Sequence, residues 1–197
     1  MPESGRWPPA YDAEDFAKNI ADLVSGGHLE SAFYEAPRQI VDLCQGDVIR
    51  LNARRPFIDG GGQPRAEVEP TEYWLIGGNS CDLDVDRKVI DEPFTSVVPL
   101  VGFRSGPEID SVLADLRAYR LSRQFYAPPW PTGPSGVHWV AHLARAAAVE
   151  RQALRPTDVL ARMSRSAWAL FHNCVIRFWA RDDGRYDVAP PSKPRRK

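Results

Sequence analysis

The sequence predicts an α+β protein with a small antiparallel barrel or curled sheet, flanking helices and a long C-terminal helix. Three observations support this class. Short apolar segments with strand character recur between residues 46 and 101. Loops rich in glycine and proline separate them, as expected for antiparallel strands joined by turns. The last part of the chain carries an apolar stripe at helical spacing.

The N-terminal region predicts one short helix. Residues 1–12 are rich in proline and predict an extended lead-in. Over residues 13–24 the apolar side chains recur at helical spacing, and Gly26-Gly27 ends the pattern. Residues 29–36 can continue as a further helical turn, whereas residues 38–44 fit a helix or a strand.

Three strands follow. Residues 46–51 alternate apolar and polar side chains after a glycine, which predicts a half-buried strand. Residues 52–71 contain three prolines and a triple glycine and predict an extended hairpin loop. Residues 73–76 and 95–101 predict two further strands, and Pro99 favours an edge position or a bulge in the last of them, since proline cannot donate to the ladder.

The second half adds helices and strands. The spacing of apolar residues predicts a helix over residues 108–119, and residues 122–126 and 137–143 have strand character. A helix of about six turns is predicted from Thr157, as its N-cap, to about Arg181. We therefore expect one globular domain over residues 1–189, with a barrel-like core at about 46–143 and a disordered basic tail at 190–197.

The composition limits the classes of protein to which this chain can belong. A 197-residue chain with 43% hydrophobic residues is expected to fold as a globule. Residues 1–103 hold 9 Lys/Arg and 18 Asp/Glu (net −9), and residues 104–197 hold 16 and 8 (net +8). This division predicts either a basic surface for phosphates or two halves that neutralise each other. The start lacks an export signal, no apolar run could cross a membrane, and three widely spaced cysteines indicate reduced thiols, so we expect a cytoplasmic protein.

The turn after the second strand holds the first candidate site. Cys81 beside Asp82 could act as a catalytic pair, although a nucleophilic thiol needs a base or a positive field that Asp82 does not supply. Asp82, Asp84 and Asp86 would share one face of an extended segment and could hold Mg²⁺, the only cofactor that the sequence suggests. The alternatives are a small residue in a tight turn and a solvated acidic loop.

The second candidate site is a binding surface on the final helix. Arg162, Arg165 and His172 are predicted to share a face away from the apolar stripe, where they could contact nucleic-acid phosphates. A solvated helix face explains the same pattern. Asn79 is a candidate binding residue in the turn before Cys81. His138 and His142 have the spacing of a zinc pair but lack the intervening glutamate of the HExxH motif.

Three short segments carry a resemblance to a known family. Residues 46–51 read Gly-Asp-Val-Ile-Arg-Leu, residues 74–79 read Trp-Leu-Ile-Gly-Gly-Asn, and residues 97–100 read Val-Val-Pro-Leu. Over residues 46–103 this order resembles the PemK/MazF family of toxins, which implies an SH3-like barrel. In that family an arginine-proline pair before the second strand and a threonine after the Val-Pro-x motif stabilise phosphate during RNA cleavage. Here Thr71-Glu72 and Val101-Gly102 occupy those positions. The resemblance therefore does not imply that this chain is a ribonuclease.

These patterns predict a binding protein, with enzymatic activity left open. The resemblance implies a bacterial regulatory or conflict system of the toxin–antitoxin or phage-defence type, with nucleic acid or a partner protein as the ligand and no membrane. One alternative is a metal-dependent or thiol-dependent hydrolase or nuclease acting through the loop of Cys81, Asp82 and Asp84. Another is a structural subunit of a homo-oligomer or larger complex.

Overall fold

The chain forms a mixed α+β fold with antiparallel sheets and a C-terminal helix, which confirms the predicted class. The structure is a computed structural model, and it describes residues 18, 20–22, 24–25, 33–36, 39–83 and 93–180. Within these ranges lie the strands β1 (Val48–Arg50), β2 (Arg54–Ile58), β3 (Pro64–Val68), β4 (Tyr73–Ile76), β5 (Phe94–Phe103), β6 (Gln124–Ala127), β7 (His138–His142), β8 (Ala147–Glu150) and β9 (Val159–Ala161), and the helices α1 (Asp110–Arg117) and α2 (Arg165–Ala180).

Seven strands pair in the order β6-β7-β5-β4-β1-β9, and β8 pairs with β5 beside this path. All of these pairings are antiparallel. The path ends at β6 on one side and at β9 on the other, so the sheet of the described residues is not a closed barrel. β2 and β3 form a separate, solvent-exposed hairpin within the segment that was predicted as a hairpin loop.

Strand β5 organises the sheet, and it contains the proline that was predicted at an edge or a bulge. Along one side, β5 pairs with β8 through residues 94–97 and then with β7 through residues 100–103. Pro99 lies between these two partners and opposite Trp74 of β4. The prediction of an edge position is therefore wrong: Pro99 lies in an interior strand, at the step between two neighbours, where a missing N–H costs no ladder bond.

Alternate residues of the central strands bury both faces of the sheet. Val48, Leu75 and Val98 belong to one hydrophobic cluster together with Phe171 of α2. Their sequence neighbours on the strands form a second cluster, made of Ile49, Trp74, Ile76 and Val97 with Leu83, Ala147 and Leu154. Because both faces are covered, the strands read as short, nearly continuous apolar runs.

The predicted start of the C-terminal helix is wrong. Thr157 lies in a 3-10 turn at Pro156–Asp158, and the chain then forms β9 against β1 before α2 begins. Ser164 precedes the helix, and its hydroxyl accepts a hydrogen bond from the N–H of Ala167 at 3.3 Å, as an N-cap residue does. Leu160 and Met163 pack against the same core as the helix, so their spacing looks like a continuation of its apolar stripe. Leu160 in fact lies in β9, and Met163 forms a bridge with Tyr34.

The remaining predicted elements agree only in part with the structure. Residues 18, 20–22 and 24–25 are helical, in agreement with the helix predicted at 13–24, whereas Tyr34 forms a bridge with Met163 and not a helical turn. The strand β8 was not predicted. The tail at 190–197 and the predicted end of the last helix at Arg181 lie outside the described residues. None of the described helices has the length and apolar character needed to cross a membrane.

Candidate functional site

Gln45 lies at the centre of the candidate site, in the turn that leads into β1. Gly46 adopts a φ of +86°, and a Cβ there would lie 3.0 Å from the Sδ of Met163, so both the turn and the space favour glycine. The backbone N–H of Gln45 donates to Ser80 Oγ at 2.9 Å, and its side-chain Nε2 donates to the carbonyl of Gly77 at 2.9 Å. Gln45 therefore joins this turn to the turn that follows β4.

The other end of the Gln45 side chain holds two aromatic residues of α2. Its Oε1 accepts hydrogen bonds from Trp168 Nε1 at 3.2 Å and from His172 Nδ1 at 3.1 Å. The two rings stack with centroids 5.3 Å apart and planes inclined by 26°. Because the amide oxygen can only accept, Nδ1 of His172 carries the hydrogen, and in the neutral ring Nε2 is left as an acceptor.

Trp168 and His172 begin a row along the outer side of α2. Trp168, His172, Val175 and Trp179 follow one another at intervals of four, three and four residues, which places them on one face of the helix. We call this row the outer stripe. The side chains of Trp168 and Trp179 are 37% and 72% exposed. The helix carries Arg165 and Arg177 and no acidic residue.

Arg162 has a structural role that differs from the predicted one. It precedes α2, and its Nε and Nη2 donate to the two carboxylate oxygens of Asp47, each at 2.9 Å. Its Nη1 and Nη2 also donate to the side chain and the carbonyl of Asp42 at 2.8 and 2.9 Å. Hydrogen bonding to Asp47 raises the pKa of Arg162 above its ordinary value. The guanidinium is thus engaged within the protein, and it does not share a helix face with Arg165.

Arg165 and His172, the other two predicted binding residues on this helix, do lie on α2. Arg165 is exposed in the first turn of the helix, and His172 is half-buried against Gln45. The turn of Asn79, Cys81 and Asp82 joins the same site through the contact of Ser80 with Gln45. The structure therefore brings together the two regions that the sequence suggested separately.

Among the described residues, the thiols of this region lack the surroundings of a nucleophile. Cys81 is exposed in the 3-10 turn Ser80–Asp82, and its Sγ donates to Asp82 Oδ1 at 3.7 Å. Burial raises the pKa of Cys44, and the field of Arg162 opposes that shift. His138, a histidine far from Cys81 in the sequence, hydrogen-bonds Ser105 and Tyr126. No basic side chain of the described residues is seen to contact the Cys81 thiol.

The predicted magnesium site falls largely outside the described residues. Asp82 is half-buried in its turn, while Asp84 and Asp86 lie in the segment that the structure does not describe. Among the described residues, no group of three or more His, Cys, Asp or Glu side chains could hold a metal ion. Asn79 is exposed, and its side chain makes no capping hydrogen bond to the turn.

Three of the four residues at which the family resemblance would put catalytic groups, Thr71, Glu72 and Gly102, line a groove of about 400 Å³, and Val101 does not. Thr71 and Glu72 line it from the start of β4, and Gly102 and Arg104 line it from the end of β5. Glu72 is paired with Arg50, whose Nε lies 3.2 Å from its carboxylate. Glu72 and Arg104 therefore give the groove one carboxylate and one guanidinium, and the carboxylate would repel a phosphate placed beside it.

The histidines of β7 give a pH-dependent prediction. Burial lowers the pKa of both His138 and His142; Arg117 adds to the shift for His138, and Arg145 and Arg123 add to it for His142. The unfolded chain, with histidine pKa values of about 6.5, then binds protons that the folded chain resists. The free energy of unfolding should therefore be lower at pH 5.5 than at pH 7.5.

Urea denaturation at the two pH values measures this difference. The variant His138→Gln/His142→Gln should show a smaller difference than the wild type. An unchanged difference in the variant would show that other groups cause the pH dependence.

Sequence reasoning missed the residues that join the site. Gln45 gives no signal except its place directly before Gly46 and Asp47, because a glutamine becomes informative only when its partners are known. Trp168 and Trp179 could have been found, since they lie four and seven residues from His172 and share a helix face with it. The apolar stripe that faces the core is the stronger pattern in this part of the sequence, and it obscures the row on the outer face.

Comparisons with known protein families, with curated proteins and with solved structures found no match to this chain.

Proposed function

We propose that this protein binds a partner protein through the outer stripe of α2. The observation that carries the proposal is the exposure of two tryptophans, Trp168 and Trp179, on one face of a helix. Exposed tryptophans in a row are unusual, and tryptophan is enriched among the residues that dominate binding energies at protein interfaces. A helix that lays one face into the groove of another protein is a common mode of recognition.

Contacts within the free protein already order one end of the outer stripe before a partner binds. Gln45 holds the ring nitrogens of Trp168 and His172, so their rings are oriented in the free protein. A side chain that is already ordered loses less conformational entropy when a partner covers it. From Trp168 to Trp179 the stripe spans about 16 Å along the helix axis, which is enough for three or four anchoring side chains.

Charge indicates the chemistry of the partner. Arg165 is exposed in the first turn of α2, and the helix bears no carboxylate, so the complementary surface is an apolar groove with an acidic residue near its Arg165 end. Arg177 lies on the opposite face of α2, with its Nε and Nη2 buried, and adds no charge to the outer stripe. Nucleic acid is less well supported than a protein, since Arg162, the predicted phosphate contact, is engaged with Asp47 and Asp42.

The family resemblance supports the biological setting of this proposal. A chain that resembles the PemK/MazF toxins over residues 46–103, and that lacks the family's phosphate-stabilising residues, fits a non-catalytic role in a bacterial toxin–antitoxin or phage-defence system. The alternative of a structural subunit is a special case of the same proposal. The hydrolase alternative has less support, since the hydrogen bond seen for the Cys81 thiol among the described residues goes to a carboxylate and not to a base.

Crosslinking identifies the partner, and affinity measurements test the site. A photoreactive residue replaces Trp179 in the native host, the crosslinked protein is identified and purified, and its affinity is measured by calorimetry. Trp168→Ser/Trp179→Ser should weaken binding by at least about a hundredfold, because each hot-spot aromatic contributes about 2 kcal/mol or more. Trp179→Ser alone should change the melting temperature little, since Trp179 is 72% exposed, whereas the double variant also loses the hydrogen bond of Trp168 to Gln45 and its stacking on His172.

Phe94→Ser is the matched control, because Phe94 is 57% exposed and lies at the start of β5. It should bind as the wild type does. The proposal is wrong if the double variant keeps its affinity. It is also wrong if the captured material is nucleic acid that nuclease removes, or if the only crosslinked product is a second copy of this chain.

A further inference from the structure

A cavity of about 660 Å³ lies beside α1, away from the residues of the candidate site. Its walls are mostly apolar, with Phe33 and Val24 on one part and Ala114 of α1 on another. Cavities of 300–1,000 Å³ with apolar walls and a few polar groups are typical sites for small molecules. Its volume and lining therefore fit a ligand of modest size.

The polar groups of this cavity are joined to one another. Tyr126 Oη lies 2.9 Å from His138 Nδ1, and His138 Nε2 lies 2.9 Å from Ser105 Oγ. The hydroxyl of Tyr119 donates to the carbonyl of Tyr126 at 3.0 Å. These bonds fix the orientation of the Tyr126 and His138 rings in the cavity wall.

Tyr119 also lines the cavity and has a strained backbone. Its φ is +52°, in the left-handed region that residues other than glycine seldom adopt. Strain of this kind is concentrated at binding sites, where the surrounding structure holds the residue in place. Tyr119 directly follows the end of α1, where Arg117 and Ala118 also line the cavity.

Arg117 gives the cavity its charge. Its guanidinium carbon lies 6.0 Å from the centre of the Tyr126 ring. No carboxylate of the described residues forms an ion pair with it, whereas Arg120, three residues later in the chain, is paired with Asp115 at 3.0 Å. Arg117 is exposed and lines the cavity, so its positive charge can attract an anion from solution to an otherwise largely apolar site.

We infer that this cavity binds a small amphipathic anion, with a flat apolar body and a single acid group such as a carboxylate or a sulfonate. The apolar body lies against Phe33, Val24 and Ala114. The acid group lies against the guanidinium of Arg117. This site uses none of the residues of the outer stripe. The protein would therefore bind a small anion in addition to the partner protein proposed above, and at a separate place.

Two fluorescent probes that differ by one acid group test this inference. The probe 8-anilinonaphthalene-1-sulfonate has the apolar body and the acid group, and N-phenyl-1-naphthylamine has the body alone. The fluorescence of each probe is titrated with the purified full-length protein. In Arg117→Gln the sulfonate probe should bind at least about tenfold more weakly, because a charge-assisted hydrogen bond is lost. The neutral probe should bind this variant as it binds the wild type.

Two further variants complete the test. Arg120→Gln removes a neighbouring charge that does not line the cavity, and it should leave both affinities unchanged. Ala114→Trp places a large ring at the exposed rim and should weaken both probes, while Trp168→Ser/Trp179→Ser should weaken neither. The inference is overturned if Arg117→Gln and Arg120→Gln behave alike, or if the outer-stripe variant and not Ala114→Trp removes the fluorescence.

Discussion

Replacing Arg162 with leucine is expected to lower the free energy of unfolding by about 3–5 kcal/mol, because it leaves the charge of Asp47 buried without its partner. Asp47 is 0% exposed, and the side chain of Arg162 is 10% exposed. The carboxylate keeps one hydrogen bond, from the N–H of Cys44 at 2.8 Å, which cannot replace the two from the guanidinium. Denaturation with urea measures the loss.

The neighbouring Arg165 provides the control for this prediction. It is an exposed residue of α2, so Arg165→Leu should change the free energy of unfolding by less than about 0.5 kcal/mol. Adding Asp47→Asn to Arg162→Leu removes the unpaired charge and keeps an acceptor for Cys44, so the double variant should recover part of the loss. Similar effects of the two single arginine variants would contradict the assignment of Arg162 as a buried ion-pair partner.

Replacing Trp74 with alanine is expected to cost about 3–5 kcal/mol, the range for removing a large aromatic side chain from a core. Trp74 is fully buried between Ile49 and Val97 in the second hydrophobic cluster. Its Nε1 has no hydrogen-bond partner among the described residues. Packing of the ring, and not the indole N–H, therefore accounts for its contribution.

Trp74→Phe separates these two contributions. Phenylalanine keeps a ring in the same place and loses only the volume of the smaller indole ring with its N–H, so the loss should be at most about 2 kcal/mol. Equal losses in the alanine and phenylalanine variants, measured by urea denaturation, would show that the indole N–H has a partner that matters for folding.

The elements that the sequence predicted well are those with local signals. The strand of Tyr73–Ile76 is a compact apolar run followed by two glycines, and the helix of Asp110–Arg117 has clear helical spacing, so both were placed within a few residues. The start of α2 was misplaced because Leu160 and Met163 continue the apolar spacing by coincidence of packing. β9 forms by pairing with β1, which lies more than 100 residues earlier in the chain, and the sequence around β9 contains no sign of that distant partner.

The sequence predicted several residues of the candidate site, but not the hydrogen bonds that join them. Cys81, Asp82, Arg165 and His172 were named from residue type and spacing, and the structure joins their two regions through Gln45. The role of Arg162 could not be predicted, since its partner Asp47 lies 115 positions earlier in the chain. Local patterns identify residues capable of chemistry, whereas long-range pairing decides whether those residues remain available.

The most direct measurement of the proposed function is hydroxyl-radical footprinting of the side chains, read by mass spectrometry, on the free protein and on its complex with the crosslinked partner. We expect Trp168 and Trp179 to be oxidised in the free protein and protected in the complex, with Phe57 and Phe94 oxidised equally in both. Protection of Phe57 or Phe94 with no change at the two tryptophans would contradict the assignment of the outer stripe as the binding surface.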